Sequence, residues 1–130
     1  MKKILLLVLL SNFAFAQKYT LKVNIKGFEN IKGKLYFQVL DAKEKIVKQS
    51  AETIDNKQVM IEIKDLSVGK YAVKIFQDEN NNTKLDTGLF GIPKEPWGLS
   101  NNVKATFGPP KFSDMLFELK ANKEISIILH

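Results

Sequence analysis

Asp78, Asn80, Asn82, Lys84 and Asp86 stand at alternate places in one polar run, Asp78-Glu79-Asn80-Asn81-Asn82-Thr83-Lys84-Leu85-Asp86. Side-chain oxygens at the first, third, fifth and ninth places, with a backbone carbonyl at the seventh, follow the donor order of the front half of a calcium loop. A hard cation of this kind needs several oxygens at about 2.3–2.6 Å, and alternate residues of a curled loop point toward one centre. The predicted metal set is therefore Asp78, Asn80, Asn82, Lys84 through its carbonyl, and Asp86, with Ca2+ as the cofactor. Two positions depart from the pattern. Thr83 occupies the place where glycine gives a positive-φ turn, and Leu89 stands where a glutamate closes the shell with both oxygens. Glu95 and Asp114 are the remote acids that could close it instead. With two carboxylates in the central set, affinity is expected in the range of roughly 10⁻⁴ to 10⁻³ M. A polar turn without metal uses the same residue types.

Trp97, between Pro96 and Gly98, is a candidate platform for stacking a sugar or a peptide, with Tyr36, Phe90 and Phe76 as candidate neighbours. The alternative is that the indole anchors its loop on the core. Asp78, Glu79, Asp86, Glu95 and Asp114 also concentrate carboxylates in one region. A small glycan hydrolase would need two of them held about 5–9.5 Å apart, and no nucleophile motif accompanies them. Ser100-Asn101-Asn102 has no neighbouring base and reads as a turn. The chain has no cysteine and one histidine, His130. Thiolate chemistry, cysteine-ligated zinc and a Ser-His-Asp arrangement are thereby excluded or hard to build. No catalytic residue is assigned, and a noncatalytic module is expected.

The elements that must position these residues are strands. Leu21, Val23 and Ile25 alternate with polar residues, as do Leu35, Phe37 and Val39, then Val59, Ile61 and Ile63, then Tyr71, Val73 and Ile75. Met115, Phe117 and Leu119 form another such set, Ile125, Ile127 and Leu129 a last one, and a shorter strand is expected over 45–49. No segment carries the stripe of a long amphipathic helix. About seven strands with one apolar face each must close on one another, which predicts an all-β Greek-key sandwich with immunoglobulin-like layering. Between Ile75 and Met115 the alternation stops. The stretch 78–114 is too rich in apolar residues for a free linker and carries four prolines and four glycines, so it is expected to be an ordered loop lobe. Tyr36 and Phe76 fall on the outward side of their strands and are expected under that lobe.

The 130 residues, 45% hydrophobic and 26% charged, suit one globular domain over 17–130. Lys2 and Lys3 precede the apolar run Ile4 to Leu10 and the small residues of Ala14-Phe15-Ala16. This is the pattern of a signal peptide over 1–16, with cleavage before Gln17. Seven consecutive apolar residues are too few for a span that needs about 20. The expected location is therefore secreted or periplasmic, with no membrane span and with an envelope glycan or protein as partner. The formal charge of +6 comes from 20 basic residues, all lysine, against 14 acids. The lysines are scattered over polar strand faces without a basic block, and arginine's forked donor is missing, so nucleic acid is not expected as a partner.

Two resemblances follow from longer motifs. Leu66-Ser67-Val68-Gly69-Lys70-Tyr71-Ala72-Val73 resembles the Leu-x-x-Gly-x-Tyr-x-Val turn and strand of transthyretin-like, prealbumin-type sandwiches. The polar run from Phe76 to Asp86, then Gly91-Ile92-Pro93-Lys94-Glu95, Gly98-Leu99-Ser100-Asn101-Asn102 and Phe107-Gly108-Pro109-Pro110-Lys111-Phe112-Ser113-Asp114, together resemble the secreted bacterial family called domain of unknown function 2141. The resemblance implies an exported β domain and no particular reaction. Thr83 stands where the family commonly has glycine, and Gln77 where it commonly has a histidine or an acid.

Overall fold

A computed structural model describes residues 17–130, and the expected leader over 1–16 lies outside the described residues. The alternating segments become β1 (Lys18–Lys26), β2 (Lys34–Asp41), β3 (Ile46–Thr53), β4 (Val59–Ser67) and β5 (Gly69–Asp78). Three short elements follow, β6 (Trp97–Leu99), the helical turn α1 (Phe112–Met115) and β7 (Phe117–Leu119), before β8 (Lys123–Ile128). Eight strands make two sheets of an all-β sandwich. One is ordered β4-β1-β8 and the other β3-β2-β5-β6, with β7 pairing the far end of β5. β1 runs antiparallel to β4 and parallel to β8.

Register follows the apolar period, because a slip of one residue would turn every core side chain outward. Val23 lies opposite Ile61 on one side and Ile125 on the other, while Phe37 lies opposite Ile75. The inner faces of both sheets merge into one core that includes Leu21, Ile25, Leu35, Val39, Val73, Leu119 and Ile127. At about 25 cal/mol per Å² of apolar surface removed from water, this core is the chief stabilising term of the fold.

Four sequence expectations change. Met115 is buried as its alternation predicts, but it closes α1 rather than entering β7, because the Ser100 hydroxyl donates to its carbonyl at 2.6 Å. The strand expected over 45–49 runs from Ile46 to Thr53 and forms an exposed sheet edge. The lobe 78–114 contributes a strand of its own, β6, which pairs with β5 over Lys74 to Phe76. Beneath the lobe lies a second small core, formed by Ala72, Leu99 and Met115 with Trp97, Val103, Phe112 and Leu116, and it leaves out Tyr36 and Phe76, the two rings expected there.

β6 also joins the two sheets. Trp97 N–H donates to the His130 carbonyl at 3.1 Å and His130 N–H returns to the Trp97 carbonyl at 3.0 Å, while Leu129 N–H reaches the Lys26 carbonyl at 2.9 Å. The approach is close enough that a Cβ on Gly98 would meet Ile127 Cγ2 at 2.6 Å.

Candidate functional site

The polar run begins where β5 ends. Lys34 pairs with Asp78 at the end of the β2–β5 ladder, and Gly33, at φ +70°, lies so close to the Asp78 carbonyl that no side chain fits between them. Asp78 is fully buried. Its carboxylate accepts the N–H of Asn82 at 3.2 Å and of Thr83 at 2.8 Å, which folds the chain back on itself. Asn81 and Thr83 both adopt positive φ, 56° and 69°. The loop thus takes the left-handed turn expected at its sixth place, although a β-branched residue occupies it. For an L-residue this conformation costs roughly 1–2 kcal/mol.

One carboxylate fastens both ends of the loop. Glu95, buried, accepts the Glu79 N–H on Oε1 and the Asp86 N–H on Oε2, each at 3.1 Å. Lys94 N–H to the Asp86 carbonyl at 2.8 Å closes the same junction. Behind it, Asn30 donates to Glu79 Oε2 at 3.1 Å and receives the amide of Gln77, which also reaches the Lys32 carbonyl at 2.9 Å. Gln77 Oε1 is the buried side-chain oxygen or nitrogen without a partner among the described residues.

Of the residues named from the sequence, Asn80, Asn82 and Asp86 meet. The Asn80 amide donates to Asp86 Oδ2 in a short bond, and the Asn82 amide donates to Oδ1 at 2.6 Å. These bonds hold the Asp86 pKa below the usual carboxylate value, Asn82 contributing most and Asn80 next, so the group stays ionised through ordinary pH. Lys84 lies on the same curl, its N–H donating to Asn82 Oδ1 at 3.0 Å. Asp78 turns both oxygens to loop backbone. Glu95 is at the loop but acts as its latch. Asp114 is not brought there. It sits on α1, whose Asp114 and Met115 carbonyls are held by Asn101 and Ser100, and Ser100 in turn accepts Val73 N–H at 3.0 Å. Val73 is five residues from Asp78, about 16 Å along the strand. Among the described residues no three His, Cys, Asp or Glu side chains gather as a metal cluster. A cation here would rest on amide and carbonyl oxygens and one ionised carboxylate, with the Asn80 and Asn82 amides reversed so that oxygen, in place of the NH2 that now meets Asp86, points at the ion. The two ends of an asparagine amide are alike in shape, which makes that reversal sterically easy.

The aromatic candidates form a second feature beside the loop. Tyr36, Phe76 and Trp97 lie in one cross-strand row on the outer face of β2, β5 and β6. The Tyr36 and Phe76 rings stack with centroids 5.2 Å apart and planes 12° from parallel. All three are half-buried. Tyr36 and Phe76 thus stay outside the lobe's small core and floor a hollow of about 590 Å³, also lined by Gln38, Gln49, Thr83 and Leu85. A second hollow of about 730 Å³ shares Lys74, Leu85, Trp97 and Leu99 with the first, so the two adjoin as the halves of one aromatic trough divided by those side chains, and Phe90 lines the second. Trp97 both anchors and lines. Its backbone ties β6 to the chain end and its ring meets the His130 imidazole edge-on at 4.3 Å.

Sequence reasoning missed the roles of Gln77, Glu95 and Ser100 as buried ties. They bond main chain distant in sequence, and no local spacing marks such a partner. Asn101 and Asn102 carry a weak signal, since both adopt positive φ, 60° and 51°, where asparagine is tolerated best after glycine.

No curated protein and no solved structure matches the chain. Residues 23–127, which span both sheets, the polar loop and the trough, match the family described as an uncharacterized protein conserved in bacteria, DUF2141, and the chain belongs to that family.

Proposed function

We propose that the chain is an exported, noncatalytic β module that holds an envelope glycan in the aromatic trough, with the polar loop as its wall and Ca2+ as the ion that stiffens that wall. The observation that carries this reading is the row Tyr36, Phe76 and Trp97, half-exposed and in register across three strands. Flat apolar ring faces beside amide and hydroxyl groups such as Gln38, Gln49 and Thr83 suit a sugar, which offers both C–H faces and hydroxyls. The acids fit binding better than hydrolysis. Asp78 and Glu95 are buried acceptors of backbone N–H groups, so neither is free to serve as acid or base. The calcium part of the reading is supported by the meeting of Asn80, Asn82 and ionised Asp86 on one curl.

Trp97 is the sole tryptophan of the chain, so its fluorescence reports directly on the trough. Titration with a panel of envelope glycan fragments should shift its emission, and Tyr36→Ala should abolish the shift. If no fragment moves the emission or the amide resonances of Tyr36, Phe76 and Trp97, the trough is not a glycan site. The metal is tested separately. The melting temperature should rise between chelator and millimolar calcium, and an unchanged value removes calcium from the account.

A further inference from the structure

Residues 86–94 form a tied hairpin. Lys94 N–H donates to the Asp86 carbonyl, Gly88 N–H to the Ile92 carbonyl at 2.7 Å, and Thr87 bridges to Pro93. The chain reverses at Leu89–Gly91 with Phe90 left-handed at φ 60°. The apex carries no polar side chain. Leu89 is 83% exposed, Phe90 99% and Ile92 63%, and across the trough Phe107 is also fully exposed on the loop that precedes Pro109 and Pro110. The hairpin, through Phe90 and Ile92, and that second loop, through Thr106 and Gly108 on either side of Phe107, border one hollow, so the two loops stand beside each other. Isolated exposed apolar residues are ordinary, but four gathered on two neighbouring tips are the signature of a surface meant to be covered.

The charges around the tips have one dominant sign. Lys84, Lys94, Lys104 and Lys111 are all exposed. Between residues 84 and 111 the acids are Asp86, which the Asn80 and Asn82 amides hold, and Glu95, which is buried on two backbone N–H groups. Apolar tips on a stretch that carries four exposed lysines against two acids complement a surface with an apolar interior and a negative face. Lipid binding at an interface is stable when two such signals act together, insertion of apolar groups and attraction of basic groups to anionic headgroups.

We propose that the Leu89–Ile92 tip and the Phe107 tip form a peripheral anchor that inserts into a bilayer carrying anionic lipid, with the four lysines at the headgroup level and the mouth of the trough held against the membrane. This surface is distinct from the trough floor and does not depend on a glycan being bound there.

Among the described residues every strand and helix lies within 18–128, so the protein for the test is residues 17–130, which holds both sheets and both tips. That protein should sediment with vesicles of phosphatidylcholine containing about one third phosphatidylglycerol, and far less with phosphatidylcholine alone. Phe90→Ser with Phe107→Ser should lower the partition coefficient by about tenfold or more, with the melting temperature unchanged because both rings are exposed. Lys94→Gln with Lys104→Gln and Lys111→Gln should weaken binding and flatten its salt dependence. Failure to sediment with the anionic vesicles, equal binding to pure phosphatidylcholine, or unaltered binding by the double phenylalanine variant would each overturn the proposal. A concentration-dependent dimer that the double variant abolishes, with no vesicle binding, would overturn it too and assign the tips to a second copy of the chain.

Discussion

At the scale of single residues, the site rests on carboxylates that serve as backbone acceptors. Glu95→Gln leaves one acceptor where two N–H groups converge and turns an amide N–H toward the other. A buried donor left without a partner costs about 1–3 kcal/mol, so urea unfolding should show a loss of that order, and a neutral result would contradict the latch. Thr83→Gly should act in the opposite direction. It removes a β-branched residue from φ 69°, for a gain of about 1 kcal/mol, and under the calcium reading it should also raise metal affinity. Asp86 gives a pH signature whose sign is determined by its amide partners. Its folded pKa lies below the unfolded value of 3.8, so the stability it contributes is present above that value and is lost as pH falls through the folded pKa. Melting temperatures measured from pH 5 downward should fall less steeply for Asp86→Asn than for the parent. The alternation of oxygens from Asp78 to Asp86 was readable from the sequence because it is local. That Asn80, Asn82 and Asp86 meet while Asp78 turns to backbone was not, since it depends on how Glu95 pins both loop ends.

At the scale of elements, the lobe is held by a few buried polar ties more than by area. Ser100 joins three pieces of chain, accepting from Val73 of β5 and donating to the Met115 carbonyl at the end of α1. Ser100→Ala strips a buried N–H and a buried carbonyl of their partner and should destabilise the protein by about 2 kcal/mol or more, as each orphaned group costs about 1–3 kcal/mol. Hydrogen exchange should localise the effect to α1, β6 and the Val73 amide. The strands themselves were legible, since period-two burial on β1, β2, β4 and β5 follows directly from the apolar residues. β6 was not, because three residues around Gly98 carry no period and become a strand only by pairing with β5.

For the whole molecule, closure depends on the last two residues. Leu129 is buried and His130 exchanges two backbone bonds with Trp97, so the sheet containing β1 is stitched to the sheet containing β5 through the chain end. Removing Leu129 and His130 should cost about 2–5 kcal/mol, the usual range for losing a buried leucine side chain, and should blue- or red-shift Trp97 emission by freeing β6. Retention of full stability and unchanged fluorescence would show that the stitch is dispensable. The sequence by itself determined an all-β domain with two apolar inner faces, the identity of the polar loop and the presence of an ordered lobe. Those properties are written in periods of two and in residue types close together along the chain. Only the tertiary structure decided that Tyr36, Phe76 and Trp97 share one trough, that Glu95 is a latch, that Asp114 lies far along β5 from the loop, and that Phe90 and Phe107 stand on neighbouring tips. Each of those facts is a meeting of residues far apart in sequence, and such meetings are determined by strand register and sheet order, which no local pattern encodes.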